Sequence, residues 1–239
     1  MDWRAVAAKI MGSAASDTRL VYDGNSVVYE TGDDRVLKVY RRNVTQQHAT
    51  ELAVLDLLMD AGAPCPEVLE AGFFEGAHPY LVMTRLPGQS LKSVWDTAPS
   101  YDRTRVGGDL GSAFSVLHGL PTEAASAVPV ARYHAEPLMG LIENLVAPSA
   151  VRRQLMAVLH RIVEDEAPAH PVVCEADMAA DHVLVQSVGG TWRLSGLVDF
   201  ADAQLGSPEW DIAAIWFWTL NEDMGAMLAF LDAYDRAGA

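Results

Sequence analysis

The sequence predicts an α+β protein of two lobes, a small β-rich lobe with one helix over residues 1–86 and a larger, mainly helical lobe over 87–239. Three observations lead there. Strand-like runs rich in Val and Tyr crowd the first part of the chain, helical periodicity dominates the rest, and the turn Leu86-Pro87-Gly88-Gln89-Ser90 stands between them as a hinge. With 239 residues, 50 % apolar and 21 % charged, the chain has an ordinary globular composition and the length for two lobes sharing a cleft.

Ser26 to Tyr29 and Arg35 to Tyr40 read as two strands of a hairpin, separated by Thr-Gly-Asp-Asp. Alternation places Val36, Lys38 and Tyr40 on one face of the second strand, so Lys38 has apolar neighbours on its own side. From about Thr45 to Met59, Leu52, Leu55, Leu58 and Met59 recur at helical spacing until Asp60-Ala61-Gly62 ends the run, with Glu51 at the edge of the stripe. Val68 to Phe74 and Pro79 to Thr84 are two further strands. Beyond the hinge, Val106, Leu110, Ala113 and Leu117 share one face of a helix from Arg103 to His118, and Val151, Leu155, Val158 and Ile162 repeat the pattern before Pro168. A β segment interrupts these helices. It comprises Pro171 to Val173, His182 to Gln186, a Gly189-Gly190 turn and Trp192 to Phe200.

Charge narrows the partners. The formal net charge is −15, with 8 basic against 12 acidic residues up to Leu86 and 9 against 20 beyond it. Such a surface repels nucleic acid and anionic lipid. Two cysteines, Cys65 and Cys174, make no disulfide framework, and no zinc spacing occurs, which fits a reduced cytoplasmic setting. The N-terminal residues do not read as a signal peptide, and the longest apolar run, Ile212 to Leu220, is too short to span a bilayer, so no membrane association is expected.

Acidic residues cluster oddly in the β segment. Asp177 follows an apolar strand, His182 comes five residues later, Asp199 ends Leu194-Ser195-Gly196-Leu197-Val198, and Asp211 opens a helix. Each alone also reads as a turn residue, a helix cap or a core histidine. Together they resemble the aminoglycoside phosphotransferase family, small-molecule kinases on the protein-kinase fold. That family's pattern runs His-Gly-Asp-Leu, three residues, Asn or His, an apolar strand, a hairpin turn, Ile-Asp-Phe-Gly-Asp-Ala and Asp-Leu-Ala. Here the segments are Glu175-Ala176-Asp177-Met178, His182, Val198-Asp199-Phe200-Ala201-Asp202-Ala203 and Asp211-Ile212-Ala213. Histidine at the position of His182 occurs in macrolide kinases and the hygromycin B kinase group.

The resemblance covers nearly the whole chain and implies a bilobal protein-kinase-like fold, Mg2+, and ATP or GTP as co-substrate. Loose phosphoryl transfer needs a metal between phosphates, a positioned hydroxyl and a base. By resemblance Asp177 is the base, and His182 with Asp199 holds the metal, although magnesium prefers oxygen ligands. Lys38 matches the strand lysine that contacts the phosphates and Glu51 its helix partner, while a snorkelling lysine is the simpler alternative. Gly24 and Ser26, in Tyr22 to Tyr29, match the nucleotide-covering loop, which also reads as a plain hairpin turn. The backbone from Thr84 to Leu86 matches the purine-binding hinge. Two departures stand out: Glu175 replaces the usual His, which puts loop geometry in question, and Ala201 replaces the usual Gly, which narrows the backbone options. Few residues remain after Asp211 to build a substrate wall.

The implied activity is transfer of the γ-phosphate to a hydroxyl of an antibiotic, with a hygromycin-like aminoglycoside favoured by the acidic second lobe. Asp202, Glu209, Glu222 and Asp223 are the candidate contacts to such a polycation, though acidic surfaces also serve solubility alone. Alternatives are a kinase of a macrolide, a peptide antibiotic, choline or a sugar, a nucleotide-binding pseudokinase, and a metal hydrolase that would leave Lys38 and Glu51 unexplained. A monomer is expected, with a dimer left open.

Overall fold

The computed structural model describes residues 2–12, 17–41, 45–130, 149, 152–154 and 170–237. Asp2 starts helix α1 (Trp3–Met11) by accepting hydrogen bonds from the Arg4 and Ala5 N–H groups, and Gly12 ends it in the left-handed conformation. No helix is expected there from the sequence, yet Trp3, Val6, Ala7, Ile10 and Met11 recur at helical spacing, and Val6, Ala7 and Met11 are buried. Nor is β1 (Thr18–Asp23) expected, an edge strand in which Thr18 alone is buried. The remaining strands of the first lobe fall close to where alternation places them: β2 (Ser26–Thr31), β3 (Arg35–Tyr40), β4 (Val68–Phe74) and β5 (His78–Thr84). They form an antiparallel sheet in the order β1-β2-β3-β5-β4.

Helices cover this sheet on both faces. Val27, Tyr29, Leu37, Val39 and Val82 pack with Ala7 and Met11 of α1 in a small separate core. The opposite face of β3 carries Val36, Lys38 and Tyr40, and Tyr40 packs in the main core with Val54, Leu55 and Leu58 of α2 (Thr45–Asp60). In register, Lys38 lies between Val28 of β2 and Leu81 of β5. The stripe expected on α2 is rotated. Glu51, Val54, Leu55 and Leu58 are buried and Leu52 is half-buried, whereas Met59 is 43 % exposed, so Glu51 sits at the centre of the buried face instead of its edge. The reason is periodic: positions 51, 54, 55 and 58 are one face of a 3.6-residue helix, and 52 and 59 flank it.

The chain then crosses to the second lobe. Gly88 has φ +102°, and a Cβ there would lie 2.1 Å from the Val185 carbonyl oxygen, so the crossing requires glycine. Next, β6 (Gln89–Ser90) pairs with β8 (Val183–Val188), which pairs with β9 (Thr191–Leu197) around Gly189-Gly190. This is the expected hairpin among helices. A second pair, β7 (Val172–Cys174) with β10 (Gln204–Gly206), flanks it.

Short α3 (Leu91–Val94) precedes α4 (Ser100–His118), which buries the four expected positions Val106, Leu110, Ala113 and Leu117. The repeat at Val151, Leu155, Val158 and Ile162 lies outside the described residues. α5 (Pro208–Ala214) leads through a wide turn, Ile215–Thr219, to α6 (Met224–Ala237). α4 and α6 touch backbone to backbone, because Cβ atoms at Gly107 and Gly111 would lie 2.2 and 2.1 Å from the Ala226 and Phe230 carbonyl oxygens. Both cysteines are free and buried. Among the described residues no helix is long and apolar enough to cross a membrane.

Candidate active site

A cavity of about 710 Å³ lies between the sheet and the β8–β9 hairpin, with Val28, Val36 and Lys38 on one side and Leu184, Val198 and Asp199 on the other. Lys38 is 4 % exposed. Its Nζ donates to Glu51 Oε2 at 2.5 Å and to Asp199 Oδ1 at 2.7 Å, and Tyr40 donates to the same Glu51 oxygen. Burial alone would discharge the ammonium, but the two carboxylates override it and raise its pKa, so the lysine stays charged. The Lys38–Glu51 pair expected from the sequence is present, and Asp199 joins it. Burial opposes the Asp199 charge, and Lys38 overcomes this to hold its pKa below the ordinary value.

The loop from Cys174 to His182 is held from below. Asp211, fully buried in the first turn of α5, accepts the Glu175 N–H at 2.8 Å and the Ala176 N–H at 3.0 Å. His118 Nε2 meets the same carboxylate at 3.1 Å, and His118 Nδ1 meets the Tyr234 hydroxyl at 2.9 Å, tying α4, α5 and α6 to the loop. His118, Asp211 and Cys174 stand close enough to suit a metal. Hydrogen bonds already occupy these His118 and Asp211 atoms, so the cluster serves as a strut. Ala176 adopts φ +70°, a strained left-handed conformation for alanine.

Glu175 resolves the first departure from the family pattern. Its fully buried carboxylate accepts the Asp177 N–H at 2.9 Å and contacts His182 Nδ1 at 3.2 Å, so it supports the loop with two hydrogen bonds. Burial pushes its pKa up to about 7 despite His182. On His182, burial works against the charge, but the Glu175 hydrogen bond and charge outweigh it and raise the imidazole to about 9. Nδ1 therefore donates to Glu175 and Nε2 faces Asp199 Oδ2 at 3.7 Å. At Ala201 the backbone needs no glycine. The left-handed residue in this segment is Asp199 itself, at φ +69°.

The Asp199 oxygen not bound by Lys38 is a hard donor, and His182 Nε2, 3.7 Å from Asp199 Oδ2, becomes a borderline donor once a bound cation displaces the proton that Glu175 and Asp199 favour on the ring. This donor set fits magnesium in a site where the protein supplies few ligands and phosphates and water supply the rest. Burial raises the pKa of Asp177 above the usual aspartate value; His182 opposes this, while Asp202, Asp199 and Asp181 reinforce it.

Not every expected contact reaches the cavity. Gly24 donates its N–H to the Ser26 carbonyl at 2.9 Å and is absent from the cavity wall, whereas Asn25 and Ser26 line it. Tyr22 folds over Gly24, where a Cβ would lie 2.0 Å from the phenol oxygen, so this glycine makes room for a side chain and not for a phosphate. At the hinge, Thr84 and Leu86 line the cavity, but the Thr84 N–H goes to Glu67 O at 2.9 Å and the Arg85 N–H to Asp34 O at 2.8 Å. Thr84 therefore has no N–H to spare for a purine.

On the far side of Asp177 lies a second cavity of about 620 Å³, walled by Lys92, Asp181, Trp210, Phe217 and Trp218. Asp202, Glu209, Glu222 and Asp223 are not on its wall. Asp202 faces the first cavity and accepts from Gln47 at 2.6 Å; Glu209 accepts from the Ser207 hydroxyl; Asp223 pairs with Arg103 at 3.1 Å; Glu222 is exposed beyond the wide turn. The residues after Asp211 do build a wall, from aromatic rings instead of carboxylates.

Fold and cleft together have the plan of a protein-kinase-like domain. The model of the phosphotransferase enzyme family (APH) matches residues 17–239, and the chain belongs to that family. Viomycin phosphotransferase of Streptomyces vinaceus is 28 % identical over 195 residues, a match covering 72 % of this chain and 62 % of that protein. Among solved structures, the GDP and kanamycin complex of APH(2")-IIia superposes with a TM-score of 0.73 at 20 % identity, over 98 % of this chain and 82 % of that one. Macrolide 2'-phosphotransferase MphH from Brachybacterium faecium superposes at 0.66 and 21 %, over 100 % and 84 %. These two likenesses are of fold.

Proposed function

We propose that this protein transfers the γ-phosphate of ATP or GTP to a hydroxyl of an antibiotic, with residues 1–86 as the nucleotide lobe and 87–239 carrying the catalytic loop and the acceptor site. One observation carries the reading. Asp177 lies on the wall shared by two cavities, one containing the Lys38–Glu51–Asp199 cluster and the other large enough for a drug-sized acceptor. The family membership and the names of the relatives, which act on viomycin or macrolides or bind kanamycin, support an antibiotic as acceptor.

In this mechanism Lys38, fixed by Glu51, reaches the nucleotide phosphates, and the Asn25–Ser26 turn covers them. Mg2+, when held by Asp199 and His182, would neutralise charge on the transferring phosphates. Asp177 then accepts the proton of the acceptor hydroxyl as its oxygen bonds phosphorus and the nucleoside diphosphate leaves. A carboxylate with a raised pKa suits that role, because it takes a proton more readily than an ordinary aspartate. Glu175 and Asp211 hold the loop that aims it. Two buried free thiols and the use of a nucleoside triphosphate suit a cytoplasmic activity, and the proposed state is a monomer.

The test is nucleoside diphosphate release with Mg2+, using ATP and GTP separately, against kanamycin, hygromycin B, viomycin, a macrolide, choline and simple sugars. Turnover that needs one acceptor and disappears in Asp177→Asn supports the proposal. Tight nucleotide binding without turnover on any acceptor refutes it in favour of a pseudokinase.

A further inference from the structure

The aromatic wall beside Asp177 has no counterpart in the acidic contacts expected from the sequence. Trp218 is 70 % exposed, Phe217 52 % and Trp210 45 %, and all three line the same cavity. Their exposure has a local cause. The Leu220 N–H bonds to the Ile215 carbonyl at 2.8 Å, closing a turn one residue wider than an α-helical turn. Ile215 and Thr219 stay buried, and both Phe217 and Trp218 are thereby pushed outward. Large aromatics held in water beside a reactive carboxylate mark a binding surface.

Charge is scarce on this wall. Apart from Asp177, which is reserved for the proton, the described lining residues offer one carboxylate, Asp181, and Lys92 Nζ lies 3.4 Å from it. A compact polycation needs several carboxylates at close range, whereas ring faces hold apolar or planar surfaces and a single cation over a ring. The acidic lobe as a whole can draw a cation in from a distance, but contact is made with indole and phenyl groups.

We infer that Trp210, Phe217 and Trp218 form an acceptor platform that selects an amphipathic substrate, one with a macrocyclic or planar apolar face beside the reacting hydroxyl and few cationic groups. The inference rests on the phosphotransferase reading and specifies its substrate class. Macrolide and cyclic-peptide antibiotics have this chemistry, and compact polyamine sugars such as kanamycin do not.

Two readouts separate this inference from its parent. Indole fluorescence is titrated with a macrolide, a cyclic peptide antibiotic and kanamycin, and turnover is measured on the same compounds with the wild type, Phe217→Ala and Trp218→Ala. Both substituted side chains are exposed, so folding should survive, and thermal melts verify it. Saturable quenching by an amphipathic acceptor is expected, weakened roughly 10-fold or more in each variant, with KM raised in parallel and kcat little changed. If quenching saturates in this way but no compound is phosphorylated, the platform stands and the phosphotransferase reading fails. If kanamycin is phosphorylated with a KM that neither substitution moves, the phosphotransferase reading stands and the platform is refuted. Absence of quenching by every amphipathic compound also refutes the platform.

Discussion

Glu175 offers a sharp test of how the loop carrying Asp177 is held. It is fully buried and bonds two partners at once, the Asp177 N–H at 2.9 Å and His182 Nδ1 at 3.2 Å. Glu175→Gln keeps the shape but leaves one carbonyl oxygen as acceptor, so one of these bonds, with its charge assistance, is lost. A hydrogen bond to a charged group contributes about 1.5–3 kcal/mol. If that loss falls on the geometry of Asp177 in the transition state, turnover drops roughly 10- to 100-fold, at about 1.4 kcal/mol per factor of ten. Glu175→His restores the usual family residue, yet an imidazole has one acceptor nitrogen for two donors, so it should fare no better in this chain. The assay is kcat for phosphoryl transfer with nucleotide affinity measured in parallel. Affinity should hold, because Glu175 does not line the cavity beside Lys38 proposed to hold the nucleotide. In a double-mutant cycle Glu175→Gln and His182→Asn should couple by about 1 kcal/mol or more. Wild-type turnover in Glu175→Gln, or full activity in Glu175→His, would refute the two-donor account.

Asp177→Asn should retain nucleotide binding and lose about 10² to 10⁴ in turnover, measured with saturating acceptor; a near-normal rate would remove the base from its role. Lys38→Met strands the buried Glu51 carboxylate and should cost about 3 kcal/mol in urea denaturation, with weaker nucleotide binding. Ala176→Gly relieves a left-handed alanine and should gain about 0.5–1 kcal/mol after the added freedom of the unfolded chain is counted, again by denaturation. Gly111→Ala drives a methyl group to 2.1 Å from the Phe230 carbonyl and should destabilise the helical lobe by about 1–3 kcal/mol, visible as a lower melting temperature.

The chain discloses its architecture where burial is one-sided. β2, α2 and α4 announce themselves because one face of each meets a core and the residues alternate or recur accordingly, and β3, buried on both faces, does so through its run of Val, Leu and Tyr. β1 stays hidden because five of its six residues are exposed, whereas α1 is legible in the recurrence of Trp3, Val6, Ala7, Ile10 and Met11 at helical spacing. Lys38 and Glu51 are legible for an electrostatic reason: a cation on an apolar strand face demands a partner, and the next helix carries one. Roles that depend on three-dimensional approach are not legible. Nothing in the sequence says that Gly24 makes room for Tyr22, that Glu175 replaces a histidine by accepting two donors, or that Asp223 is committed to Arg103. Net charge is visible in composition and points to acidic residues, while the wide turn that exposes Phe217 and Trp218 depends on backbone hydrogen bonding that composition does not show.

The two partners of Lys38 differ greatly in sequence distance, 13 residues to Glu51 and 161 to Asp199. A nascent chain therefore meets Glu51 early, when closing the intervening loop loses little entropy, and meets Asp199 only after most of the polypeptide has left the ribosome. Glu51 belongs to the same lobe as Lys38, and Asp199 to the other. The first lobe thus carries a partner for its lysine along a short stretch of chain, and the Lys38–Asp199 contact that joins the lobes must wait for the second.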